Sequence, residues 1–144
     1  MNIKKEMTIA ALVFSICMPF TASAQSPDAK ESMATQNAVL DSYTQEINRW
    51  RGLRLTAKID WSNFTEKDIS SKNAPGYCRG TLQAINVFSL HHKDAVAQNI
   101  KTIVCKLGTE RTVDLKDGTL TLVMTWKDYN QGQFVGDYLK RVLQ

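Results

Sequence analysis

Between Met33 and Trp50 the chain places Met33, Gln36, Leu40, Tyr43, Ile47 and Trp50 three or four residues apart. They form one mostly apolar stripe, and Asp41, Thr44, Gln45, Glu46, Asn48 and Arg49 occupy the other positions. That period predicts an amphipathic helix, with Gly52 as its C-terminal stop. The period then switches from helical to alternating. Leu53, Leu55, Ala57, Ile59 and Trp61 alternate with Arg54, Thr56, Lys58 and Asp60, the pattern of a half-buried strand with one wet face. The polar stretch 63–76 ends in Pro75-Gly76 and reads as a loop.

The segment 112–126 carries the clearest local signal. Asp117-Gly118 is the dipeptide that a two-residue type I′ hairpin favours, because both positions need positive φ. A turn there sets Lys116 opposite Thr119, Leu115 opposite Leu120 and Val113 opposite Leu122, which collects the apolar pairs on one face. Phe134, Val135, Tyr138, Leu139, Val142 and Leu143 then return to helical spacing, with Lys140 and Arg141 in the last turn, where the helix dipole favours cations. Asp128 and Asn130 are its candidate caps, and Gly136 implies close packing against the sheet. Residues 77–107 fit two readings. One is a hairpin with arms near 78–88 and 96–105. The other is a helix pair, with Asp94 as cap and Gly108 as stop. The elements together predict an α+β domain: a small antiparallel sheet with N- and C-terminal helices packed on one face, tied by one disulfide.

The compartment comes from the start of the chain. Lys4 and Lys5 precede about a dozen mostly apolar residues, and Ala22-Ser23-Ala24 forms a small-x-small cleavage site, which together read as a secretory signal peptide over residues 1–24. Residues 25–30 read as a flexible polar tail and residues 31–144 as one globular domain. No second long apolar run follows, so no membrane span is expected in the mature chain. The expected location is the periplasm or the medium outside the cell. Cys17 is lost with the leader, leaving Cys78 and Cys105, which are expected to pair in an exported chain.

Charge excludes little. The formal charge of +4 falls by one with Lys4, Lys5 and Glu6, and the basic residues are scattered rather than gathered into a phosphate-binding stripe, so nucleic acid is not an expected partner. The two histidines, His91 and His92, lie beside Asp94 and are the weak candidates for a metal site, but neighbouring histidines diverge on regular structure. Ser89 precedes His91 without a nucleophile elbow, and Glu66, Asp68 and Asp128 do not single out a catalytic pair. No catalytic residue and no cofactor is therefore assigned. Trp50, Trp61 and Trp126 each end an apolar stripe, and Arg51 and Arg54 flank Trp50. These five residues are the candidate partner-binding surface.

Tyr77-Cys78-Arg79-Gly80, the later Cys105, and Gly132-Gln133-Phe134-Val135 leading to Tyr138-Leu139 form a pattern. It resembles the small periplasmic immunity proteins that neutralise type VI secretion amidase effectors. The chain departs from that family at the Asp117-Gly118 hairpin, where the family is helical. The resemblance implies stoichiometric inhibition of a cell-wall hydrolase without catalysis. The expectation is thus an exported, non-enzymatic binding module that inhibits, or protects against, a protein partner in the envelope or secreted fraction. The alternatives are a periplasmic small-ligand carrier or envelope stress chaperone, and a metal-dependent enzyme using His91 and His92. The oligomeric state stays open.

Overall fold

The computed structural model describes residues 25–144. The signal peptide assigned to residues 1–24 lies outside the described residues. Helix α1 (Pro27–Arg51) is followed by strand β1 (Thr56–Asp60), a single 3-10 turn at Trp61–Asn63, and helices α2 (Glu66–Ser71) and α3 (Ala74–Asn99). Strands β2 (Thr102–Leu107), β3 (Thr112–Lys116) and β4 (Thr119–Met124) and helix α4 (Gln131–Leu143) complete the order. The fold is α+β, a four-stranded sheet with helices packed against it and one Cys78–Cys105 disulfide.

The sheet runs β1-β2-β4-β3 and corrects the antiparallel expectation. β1 pairs β2 and β2 pairs β4 in parallel, and only β3 and β4 are antiparallel. The hairpin itself forms in the expected register, Lys116 opposite Thr119 through Val113 opposite Leu122. Asp117 and Gly118 have the positive φ of 49° and 78° that its turn needs. The hairpin then docks on β2 through its second strand. The 108–111 connection must therefore step over β4, roughly 10 Å or two strand spacings, to reach β3. Gly108 makes that crossing, where a β-carbon would run into Val123.

The inner face of the sheet presents Ile59, Ile103, Cys105, Leu120, Leu122 and Met124, all buried. Thr56, Lys58, Asp114 and Lys116 point to the exposed outer face. α1 lies against β1 and α3, and α3 touches β1 and β4 while carrying α4 along its flank.

Several local readings change. The flexible tail at 25–30 is instead the start of α1: Ser26 caps it, Pro27 sits in its first turn and Ala29 is buried. The 63–76 loop contains α2, opened by a capping box in which Thr65 and Asp68 exchange hydrogen bonds, and the start of α3, capped by Asn73 with buried Pro75 in the first turn. Segment 77–107 is not a hairpin; it follows the helix-pair reading in having two helical runs, but the second is shorter than expected. It is helical to Asn99, with a kink at His92, and becomes strand from Thr102. The break falls at His92, so Asp94 lies in the first turn after it rather than at the cap, and the second run ends at Asn99 rather than at Gly108. Ile100, Ile103 and Val104 satisfy either period; Ile100 becomes the C-cap of α3, and the central sheet position between β1 and β4 takes Ile103 and Val104. Gly52 ends α1 in the left-handed conformation as expected, with φ 63°.

α4 packs on α3 rather than broadly on the sheet, and the two helices come close together at a glycine. A β-carbon on Gly80 would lie 2.7 Å from the Gln131 β-carbon and 3.0 Å from the Gly132 nitrogen. Gly136 has open space instead of the expected sheet contact. Gly136→Ala is therefore expected to raise the unfolding free energy by about 0.5–1 kcal/mol. Gly80→Ala is expected to lower it by about 1–3 kcal/mol through overpacking. Urea titration of both variants checks the pair, and equal effects of the two would refute the packing account.

Cys78, near the start of α3, and Cys105, in the middle of β2, are fully buried and separated by 27 positions. Closing that loop contributes about 3–4 kcal/mol by the chain-entropy relation. The Cys78→Ala, Cys105→Ala double variant is expected to lose about that much in guanidinium unfolding, and a loss under 1 kcal/mol would contradict it.

Candidate functional site

The five candidate surface residues fall into two groups. Trp50 stands at the C-terminal end of α1, 59% exposed rather than closing the core. Its neighbour Arg51 donates from Nε to Asn86 Oδ1 on α3, and Arg54 is exposed on the segment leading to β1. Trp61 and Trp126 are brought together on the other side of Phe64. Their ring centroids lie 4.8 and 5.7 Å from that ring, and Tyr77 meets Trp126 edge-on at 5.0 Å. Such aromatic pairs add about 0.5–1.5 kcal/mol each beyond their buried area.

The metal candidates do not converge. His91 is exposed, while His92, at the kink, stacks on Phe88 at 4.6 Å and lies 3.1 Å from the Gln144 amide nitrogen. Among the described residues no three histidine, cysteine or carboxylate side chains form a ligand group.

Asp68 was not singled out as a site residue, and it organises the aromatic cluster. One carboxylate oxygen accepts from the Thr65 hydroxyl at 2.7 Å and backbone N–H at 3.0 Å, and the other accepts from the Trp126 indole N–H at 3.0 Å. The Thr65 side-chain hydrogen bond, with smaller help from the Thr65 backbone, the Trp126 indole and Lys72, holds its pKa below the ordinary 3.8, against a desolvation effect of opposite sign. Asp60 is lowered likewise by hydrogen bonds from Ser62 at the 3-10 turn.

Trp126 opens the loop 125–130 between β4 and α4, and this loop is tightly braced. The Thr125 hydroxyl donates to Asp128 Oδ2 at 2.6 Å and accepts from the Lys127 N–H at 3.3 Å. The Gln131 amide donates to the Asp128 carbonyl, and the Tyr77 hydroxyl donates to the Trp126 carbonyl. Arg111 Nη1 donates to the Tyr129 carbonyl at 2.8 Å while its guanidinium lies 4.2 Å over the Phe134 ring. Asn130, one of the two expected caps, occupies the N-cap position of α4, but it is held at φ 61° and its side chain makes no cap hydrogen bond. The Tyr129 ring projects from this frame, 76% exposed. Sequence reading passed over it, although a lone aromatic between Asp128 and Asn130 in a polar run is a visible signal.

Beside Tyr129 the α3–α4 crossing leaves a groove of about 440 Å³, lined by Asn73, Arg79, Gln83 and Gly132 among others. It continues past Gly132 into a second hollow of about 330 Å³ floored by Ala84, Phe88 and Gly136, with exposed Val87 at its side. Comparison with protein-family models, with curated proteins and with solved structures returned no match.

Asp68 tests the electrostatic account. Its folded pKa is depressed, so its contribution is present above the ordinary carboxylate range and is lost as pH falls through the folded value, below 3.8. Asp68→Asn is expected to cost about 1 kcal/mol at neutral pH through the weakened cap. Urea unfolding followed by tryptophan fluorescence should show that gap closing in acid, and a gap independent of pH would refute the assignment.

Proposed function

We propose that the mature chain is a periplasmic or secreted, non-enzymatic binding module that inhibits, or protects against, a protein partner, in the manner of an immunity protein against a cell-wall hydrolase. One observation carries the reading. The two segments that resemble that family, 77–80 and 132–135, lie far apart in sequence, yet Gly80 and Gly132 meet where α3 and α4 come close together. The pattern is thus one packing unit, together with the disulfide that anchors α3. The buried disulfide agrees with an oxidising compartment, and no helix among the described residues is long and apolar enough to cross a membrane.

The groove of about 440 Å³ beside Tyr129 is what favours the second reading, a small-ligand carrier. Incubated with envelope and secreted fractions of its own organism, the oxidised mature protein is expected to retain one protein at one-to-one stoichiometry. The purified partner should lose cell-wall hydrolytic activity when the chain is added. A partner that stays fully active, or retention of many proteins at trace levels, overturns the inhibitor reading. Stoichiometric binding of a hydrophobic dye with no protein partner would move the assignment to the carrier.

A further inference from the structure

Of the two aromatic residues in the loop 125–130, Trp126 packs against Phe64 and Tyr77, while Tyr129 is exposed on a backbone fixed from several sides. Among the large hydrophobic residues that stand exposed in the described structure, Tyr129 is the most exposed, at 76%. Its backbone has little freedom. Arg111 holds its carbonyl, Asp128 is tied to Thr125 and Gln131, and the next residue, Asn130, sits in the left-handed region. A non-glycine residue at positive φ, held by its surroundings, is a conformation that the fold must stabilise. The hydrogen bonds that do so engage the backbone and neighbours of Tyr129 and leave its ring outward. An exposed, pre-ordered tyrosine loses little further entropy on binding, and tyrosine is among the residues enriched at the centres of protein interfaces.

Basic residues outnumber acidic ones around the ring, with Lys127, Arg111 and Arg79 against Asp128 and Glu110. Lys127 precedes Tyr129 by two positions, Arg111 grips its carbonyl, and Arg79 lines the same groove. None of the three forms a salt bridge among the described residues. Asp128 lines the same groove and keeps its negative charge while accepting from the Thr125 hydroxyl, and Asp68 accepts from Thr65 and the Trp126 indole.

We infer that Tyr129 is the anchor of the partner interface, inserted into a concave, carboxylate-lined cleft on a protein partner, with Lys127, Arg111 and Arg79 facing the carboxylates. This rests on the binding-module reading and moves the contact surface away from Trp50 and Arg54. Complementary charge of this kind accelerates association and makes it sensitive to salt.

Site-specific photo-crosslinking tests the inference. Benzoylphenylalanine is placed at position 129, and separately at position 50, in the full chain exported by its own organism. The expected result is a one-to-one adduct from position 129 whose crosslinked partner peptide borders an acidic cleft. Tyr129→Ala, at an exposed position, should keep the wild-type circular dichroism and weaken binding of the purified partner about 30-fold or more. Lys127→Glu should slow association about tenfold, and added salt should slow the wild type in the same way. An adduct from position 50 alone, with Tyr129→Ala binding normally, overturns this inference and leaves the binding-module reading standing. An adduct from position 129 that maps to a flat or basic surface also overturns it. No adduct from either position, with the chain recovered alone, overturns both.

Discussion

Cys78 and Cys105 join the start of α3 to the middle of β2, and the rest of the domain is arranged around that fixed point. β2 is flanked by β1 and β4, so a bond to it locates α3 against the centre of the sheet rather than an edge. The bond also sets the rotation of α3. Cys78, Leu82 and Ile85 follow one another at helical spacing and are all fully buried. With that stripe on the core, Gly80 is turned toward α4, where only a residue without a side chain fits beside Gln131 and Gly132. Turning α3 by one residue would rotate it by about 100° and replace that glycine with a side chain at the crossing. The seat of α4 therefore depends on a covalent bond made on another face of α3.

A second constraint works beside the disulfide, at the same end of α3. Asp68 caps α2 with one oxygen and holds the Trp126 indole with the other. Tyr77, in the first turns of α3, donates its hydroxyl to the Trp126 carbonyl. The exit of β4 is thereby tied to α2 and α3 before the chain turns into α4. The order of the loop that follows is inherited from these contacts, since Trp126 near its start is already fixed on both ring and backbone.

What could be read from the sequence was local. The Asp117-Gly118 turn and the alternation on each side of it are encoded within a dozen or so residues, and the hairpin has the register they dictate. The ends of α1 show the limit. Gly52 marked the C-terminus, but the Ser26-Pro27 start was hidden in a polar run that also suits a tail. Thr65 and Asp68 at capping-box spacing, and Pro75 in a first turn, were present as signals and were outweighed by the polarity around them. The parallel pairings were not legible, because β1 and β2 meet across some forty residues and no local pattern specifies such a contact. Ile100 to Val104 fits a helix by spacing and a strand by β-branching, and it is resolved only by its neighbours in the sheet. Asp68 was likewise one carboxylate among several until the fold brought Trp126 to it from 58 positions away.

The distribution of exposed apolar groups explains why recognition is sought on the helical side. Val39, Trp50, Val87, Leu90, Tyr129 and Val142 are the exposed large hydrophobic residues of the described structure, and none of them lies in a strand. The sheet is guarded where it is most open to unwanted pairing. Lys58 projects from edge strand β1, and on edge strand β3 the Leu115 N–H is already donated to the Tyr138 hydroxyl at 2.7 Å. The outer face is mostly threonine and charge around the half-buried Val104 and Val123, with Thr56, Thr102 and Thr119 aligned across one rung. Strand edges and the outer face are thus poor places for a specific apolar contact. The helical side holds the groove, and the loop at its margin presents a single aromatic ring on fixed backbone. Of the two exposed aromatic positions, Trp50 stands where α1 ends at Gly52, whereas Tyr129 is gripped through its own carbonyl by Arg111. Both stand on restrained backbone, which limits the freedom lost on docking, and what sets Tyr129 apart is its place at the margin of the groove.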